Sequence, residues 1–142
     1  MQISKKAEYA VRAVAILCAQ APDKSMQAQE MAQLGDIPQK FLEQILLILK
    51  RSGLVISKRG VGGGYRIGRE PRLLTVADVV ESIEGEICPL ADLDQPHDFP
   101  GSTGIVNCFS TATTAYLTHL QQSTFEDLLN HESGDSMVGF GI

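Results

Sequence analysis

The chain has no tryptophan, and only eight of its 142 residues are Tyr or Phe. A surface that stacks successive bases of a single nucleic-acid strand needs rings in series, so that mode of binding has little to be built from. No apolar run approaches the roughly 20 residues that cross a bilayer as a helix. The opening Met-Gln-Ile-Ser-Lys-Lys leads straight into a helical pattern with no signal-peptide cleavage site, so the expected location is the cytoplasm, with no membrane partner. Three cysteines, Cys18, Cys88 and Cys108, are too few and too scattered for a disulfide framework. In a reducing compartment they are inert, redox-active or metal-binding. There is no HExxH, no Ser-His-Asp context and no paired acids on a recognisable scaffold, so the chain does not read as an enzyme. The last absence is the most informative: no Lys or Arg follows residue 72.

What is present is therefore divided by charge. Residues 1–72 hold all twelve cations and six acids, a net +6; residues 73–142 hold eleven acids and no cation, −11. The total of −5 conceals a cationic half, suited to a polyanion, joined to an anionic half with another task.

Ser4 is placed to cap a first helix with Ala7, Ala10, Val11, Val14, Leu17 and Cys18 on its apolar face, ended by the Pro22-Asp23 turn. A short second helix is predicted from Gln27 to Leu34, with Ala28, Met31 and Ala32 inward and a stop at Gly35. Asp36-Ile37-Pro38 starts a third, with Phe41, Leu42, Ile45, Ile48 and Leu49 apolar, ending at Ser52-Gly53. Two helices joined by a tight turn, the second with polar early turns, form a helix-turn-helix pattern. Leu54–Lys58 and Gly64–Ile67 then read as paired strands around Arg59-Gly60-Val61-Gly62-Gly63. The glycines permit a sharp turn and close backbone approach, and with Lys58, Arg59 and Arg66 beside them the hairpin reads as the wing of a winged helix. A phosphate-cradling nucleotide loop would need a following Lys-Ser/Thr and a helix, and has neither.

Thr75 and Asp78 have capping-box spacing for a fourth helix carrying Val76, Val79, Val80 and Ile83, closed by Gly85. Residues 86–107 read as a long loop rich in Pro, Gly and Asp, of the length that usually carries function or mobility. A fifth helix bears the stripe Phe109, Ala112, Tyr116, Leu117 and Leu120. Ser123 and Glu126 are expected to cap a short sixth helix with Phe125, Leu128 and Leu129, and the tail from Glu132 to be loosely held. The expected class is mainly α with a small β-hairpin wing. The expected divisions are a DNA-binding winged helix-turn-helix over 1–85, a sensor loop over 86–107, dimerisation helices over 108–131 and a flexible tail over 132–142.

Tyr9-Ala10-Val11-Arg12, Phe41-Leu42-Glu43-Gln44, Gly53-Leu54-Val55, Arg59-Gly60-Val61-Gly62-Gly63-Gly64-Tyr65 and the Thr75-capped helix ending in Glu84-Gly85 stand in a familiar order. Over residues 1–85 the chain resembles the Rrf-type winged-helix transcription regulators, the family of the IscR, NsrR and CymR proteins. The resemblance implies a homodimeric, sequence-specific regulator of double-stranded DNA, with a long C-terminal helix that crosses its mate. Gln39, Lys40, Glu43 and Gln44 are the exposed early positions of its recognition helix. Gln44 suits adenine, Glu43 a cytosine amino group, and Lys40 guanine or phosphate. Arg59 matches the family's minor-groove arginine, while Lys58 or Arg66 would meet phosphate, with Lys5, Lys6 and Arg12 as further candidates. A twofold dimer sets its recognition helices roughly 34 Å apart, so the operator should be near-palindromic.

Many members of that family hold an iron–sulfur cluster through three closely spaced cysteines before the long helix. This chain departs from the pattern, with Cys88 and Cys108 twenty residues apart and Asp92, Asp94, His97 and Asp98 between them. Glu8 stands where some relatives place an acid from the opposite subunit. A cluster on Cys88, Cys108, Glu8 and a loop residue such as His97 is one reading. A dithiol switch is another, and a cluster-free regulator answering to a protein or small molecule is the third. Cys18 reads as core packing, and His119 and His131 as surface. A winged helix that contacts protein rather than nucleic acid is the rival from another class, and it would not need a basic wing.

Overall fold

The computed structural model describes residues 3–87 and 98–139, with side chains to residue 132 in the second stretch. Among the described residues six helices and one hairpin follow in the order α1 (Lys5–Cys18), α2 (Ala28–Gly35), α3 (Gln39–Arg51), β1 (Val55–Lys58), β2 (Gly64–Ile67), α4 (Val76–Glu84), α5 (Ser102–Gln122) and α6 (Phe125–Gly139). This is the expected mainly helical class with a two-stranded wing. A 3-10 turn, Pro71–Leu73, leads from the wing into α4.

Local chemistry explains most of the boundaries. Ser4 Oγ accepts from Ala7 N at 3.1 Å to start α1. At α4 both halves of the capping box form, Asp78 N donating to Thr75 Oγ1 and Thr75 N to Asp78 Oδ2. α2 ends differently from expectation. The left-handed residue is Asp36, at φ 50°, and not Gly35. Gly35 is small for packing: a Cβ there would come within 2.9 Å of the ends of Ile16 and Ile37.

α1 lies at the centre, packed against α2, α3, α4 and α6. Ala10, Ala13, Val14 and Leu17 of α1 meet Met31, Leu42, Ile45, Leu46, Leu49, Val79 and Val80 in one core. The small alanines of α1 let neighbouring helices approach closely. Leu46, absent from the expected stripe, is buried, whereas Phe41 is exposed on the surface beside Tyr9.

Three boundaries in the second half depart from the sequence reading. α5 begins at Ser102, inside the segment expected to be loop, after Gly101 turns the chain at φ 90°. Ser, Thr, Gly and Asn in 102–107 are turn formers by local preference, but Ile105 and Val106 continue the helix. The cap of α6 is Thr124, whose Oγ1 accepts from Asp127 N at 3.1 Å, while Ser123 donates back to His119 O. α6 then runs to Gly139, across most of the stretch expected as a loose tail. Once nucleated, a helix needs only one hydrogen bond per added residue, so weak formers such as Ser and Gly can be carried along.

α6 is fixed to the rest of its own chain. Phe125 N donates to Leu74 O, Val76 N to Ser123 O, and the Phe125 side chain is fully buried in the core.

Candidate nucleic-acid interface

Leu42, Ile45, Leu46 and Leu49 turn one face of α3 into the core, which leaves the opposite face outward. Gln39, Lys40, Glu43 and Gln44 are all exposed on it. None of these four is ion-paired to another described residue, so their donors and acceptors remain available. Leu47, 49% exposed, follows at the next turn of the same face. Sequence reasoning missed it: Leu47 lies off the apolar stripe, and the candidates on the outward face are all polar. An outward leucine on this face offers an apolar contact beside the polar side chains.

The wing is held by backbone as much as by strand pairing. β1 and β2 are antiparallel, with Ser57 opposite Tyr65 and Lys58 opposite Gly64. A third segment joins them: Met26 and Tyr65 exchange two backbone hydrogen bonds of 2.8 Å. Gln27 Nε2 adds a 2.8 Å bond to Gly63 O. Gly63 and Gly64 permit this closeness, since a Cβ at either would fall within 2.5 Å of a backbone carbonyl oxygen. Lys58, Arg59 and the fully exposed Val61 are thereby carried outward on a fixed hairpin. Arg66 faces Ile56 in the register, on the opposite side of the hairpin from Ser57 and Tyr65.

Of the cations on α1, Lys5 and Arg12 both hydrogen-bond Glu8, at 3.1 and 2.5 Å. The Lys5 and Arg12 hydrogen bonds hold the Glu8 carboxyl below its ordinary range. Arg12 also donates to Gly35 O at 3.2 Å and lies 5.3 Å above the Tyr9 ring. Its guanidinium thus braces the corner between α2 and α3, a role the sequence did not reveal.

Of the candidate cluster donors, Cys88 and His97 lie outside the described residues, as do Asp92 and Asp94. Cys108 is exposed on the second turn of α5. Among the described residues no three of His, Cys, Asp and Glu converge as a metal site. Within one chain, the described donors therefore do not assemble a cluster site, and Glu8 is engaged by two cations. Cys18 is buried against the core, and burial pushes its thiol up to about 12. It is packing, not chemistry.

A helix-turn-helix whose second helix presents free polar side chains, followed by a rigid basic glycine wing, defines a winged-helix DNA-binding protein. Comparison with known proteins agrees. Residues 3–131 match the Rrf2 family, described as iron-dependent transcriptional regulators. A Rhodobacter capsulatus protein named as an rrf2-like regulator of the HTH type is 35% identical over 89% of this chain and 91% of its own. The HTH-type transcriptional regulator CymR of Bacillus subtilis is 29% identical over 95% of this chain and 94% of its own. The solved structure of T. potens IscR superposes with a TM-score of 0.76 at 26% identity, covering 93% of this chain and 88% of that one. The structure of CymR, the global cysteine regulator of B. subtilis, gives 0.75 at 26% identity over 92% and 98%. The chain belongs to the Rrf2 family, and it is a DNA-binding transcription regulator.

Proposed function

We propose that this regulator works in the cytoplasm as a homodimer on a near-palindromic operator, without catalytic activity. The observation that carries the DNA reading is the exposed Gln39, Lys40, Glu43 and Gln44 face beside a wing fixed by backbone bonds. Gln39, Lys40, Glu43 and Gln44 read the major groove, Arg59 enters the minor groove, and Lys58 and Arg66 meet phosphates. Glu43 acts chiefly by penalising wrong bases, since a carboxylate facing an acceptor edge is left unpaired.

The homodimer is supported by α5. Ile105 and Phe109 are exposed, Phe109 at 46%, and Tyr116, Leu117 and Leu120 are only half-buried by their own chain. An apolar stripe of this kind is suited to burial against a second copy. Phe109→Asp places a charge in that seam, and sedimentation should show dissociation to monomer; an unchanged mass would remove α5 from the interface.

The sensory input is assigned to the start of α5, where Cys108 is exposed. If an iron–sulfur cluster is held, Cys108 is the described thiolate donor, with Cys88, His97 and Glu8 as its companions, and the cluster would supply redox sensitivity. Iron determination and a visible spectrum of anaerobically purified protein, repeated on Cys108→Ser, test that assignment. Operator selection from a random duplex pool tests the main reading: the wild type should enrich a twofold-related sequence, and Glu43→Ala should relax it. Enrichment of no sequence, with no duplex bound at low salt, would leave a winged helix that serves protein contacts.

A further inference from the structure

Between the wing and the helices beneath it lies a cleft of about 410 Å³ lined by Gln27, Lys50, Ser57, Lys58, Arg59 and Tyr65 together with wing glycines. Three of those side chains are cationic and none is acidic, in a chain whose net charge is −5. A larger cleft of about 670 Å³, between the end of α1, the segment after β2 and α6, has no such bias. There Arg69 and Arg72 are ion-paired to Asp78 and Glu70, and Glu126 adds another acid.

We infer that the wing cleft is a seat for one backbone phosphodiester of the duplex, with Lys50 as its principal new contact. The inference rests on the DNA-binding reading and adds to it a site beyond the recognition helix and the wing tip. Position as well as charge marks the cleft for a phosphate. α3 presents its base-reading side chains on one side of the cleft, and the hairpin carries Arg59 outward on the other. When one element occupies the major groove and the other an adjacent minor groove, the strand between those grooves passes across the cleft. Its phosphates arrive where Lys50 and Lys58 bring charge and where Ser57 and Tyr65 bring hydroxyls. Glycine backbone at Gly60, Gly63 and Gly64 forms the rest of the wall, so no side chain stands in the way. Gln27 is a positioning residue here, its amide fixed on the Gly63 carbonyl at 2.8 Å, which holds the wall in place.

A purely structural role for Lys50 is a cation in the last turn of α3, complementing the helix dipole. That role and the phosphate seat separate in a salt titration. Binding of the full chain to a fixed 30-base-pair mixed-sequence duplex (roughly three helical turns) is followed by anisotropy across a KCl series. Removing one cation that neutralises a phosphate should reduce the slope of log affinity against log salt by about 0.9. Lys50→Gln should show that reduction, Lys50→Arg should restore the wild-type slope, and Arg72→Gln at the other cleft should leave it unchanged. A wild-type slope in Lys50→Gln overturns the seat, even if its melting temperature falls. If the wild type itself binds no duplex, the DNA-binding reading has failed and the seat falls with it. A second arm uses tripolyphosphate without DNA, monitoring protection of Lys50 from acetylation. Protection combined with an unaltered duplex slope in Lys50→Gln would assign the cleft to a free phosphate compound and overturn the duplex assignment.

Discussion

Replacing Gly64 with alanine asks whether backbone contact builds the wing. Gly64 lies at φ 134°, and an added Cβ would sit 2.5 Å from the Met26 carbonyl oxygen and 2.8 Å from its carbon. Those atoms belong to the segment that exchanges two 2.8 Å hydrogen bonds with Tyr65, so no side-chain rotation can relieve the clash. An alanine forced into such a conformation costs about 1–3 kcal/mol. Stretching or breaking the two hydrogen bonds adds roughly 0.5–1.5 kcal/mol each. The expected loss is on the order of 3–4 kcal/mol, a large part of the roughly 5–15 kcal/mol that stabilises a typical domain. Gly62 supplies the control, because it also has positive φ, 73°, yet a Cβ there meets nothing within 4 Å. Its alanine variant should lose only about 1–2 kcal/mol, the left-handed penalty alone. Urea denaturation at one fixed protomer concentration measures both variants, the midpoint giving the loss when the slope is unchanged. Gly64→Ala should also lose duplex affinity, since the wing swings away from Met26. Equal midpoints for the two variants would refute the reasoning, and so would a Gly64→Ala protein that binds duplex like the wild type.

Phe125→Ala empties a fully buried site between α6 and the winged helix and should cost about 3–5 kcal/mol; a thermal midpoint within a degree or two of wild type would contradict its place in the core. Iodoacetamide on the native protein should label Cys108 quickly and Cys18 only after unfolding, as peptide mapping can read, because one is exposed and the other buried. The Cys18 thiol has its pKa raised from 9.0 to about 12, so the unfolded chain ionises first and stability should fall as pH rises through that window. Cys18→Ala should flatten this alkaline limb, and identical limbs would reject the assignment. Glu8 has the opposite sign: its pKa is depressed, so its contribution is present above the ordinary carboxylate value of 4.5 and is lost as pH falls through the lower folded value. Glu8→Gln should therefore remove part of the acid-side loss of stability, and an unchanged acid limb would show that Lys5 and Arg12 do not stabilise the carboxylate.

How far the chain could be read from its sequence depended on how local each cause was. Ser4 and the Thr75–Asp78 pair act within three residues, and their helices start where expected. The wing was legible because glycines at Gly60, Gly62 and Gly64 adopt positive φ, which few other residues tolerate. The outward face of α3 followed from helical spacing alone. What failed to show depended on partners distant in sequence. Phe41 lies outward because Tyr9 of α1 offers it a ring at 6.1 Å. Gly35 is small because Ile16 and Ile37 close on it, a contact that no turn rule anticipates. Lys50 carries no signal in the sequence, because its place beside the hairpin is set only by the fold. The bracing role of Arg12 was hidden in the same way, since Gly35 stands twenty-three residues further along.

The division of charge at residue 72 does not coincide with a division of structure. α4, whose only charges are acidic, supplies Val79 and Val80 to the core built on α1. Phe125, from the segment that carries no cation, sits in that same core. Two backbone hydrogen bonds tie the α5–α6 turn to Leu74 and Val76, immediately after the last arginine of the chain. Ser4 N reaches Glu84 Oε1 at 2.7 Å, joining the start of α1 to the end of α4. The anionic half is therefore not a separable appendage: its apolar residues complete the core of the winged helix, while none of its described acids is buried. α5 packs on α4, and α4 packs on α1, whose Arg12 holds the carbonyl of Gly35 at the helix-turn-helix corner. Any displacement of α5 would therefore bear on the elements that position α3. Under the proposed reading, Cys108 on α5 would act on α3 through these packed helices without touching it.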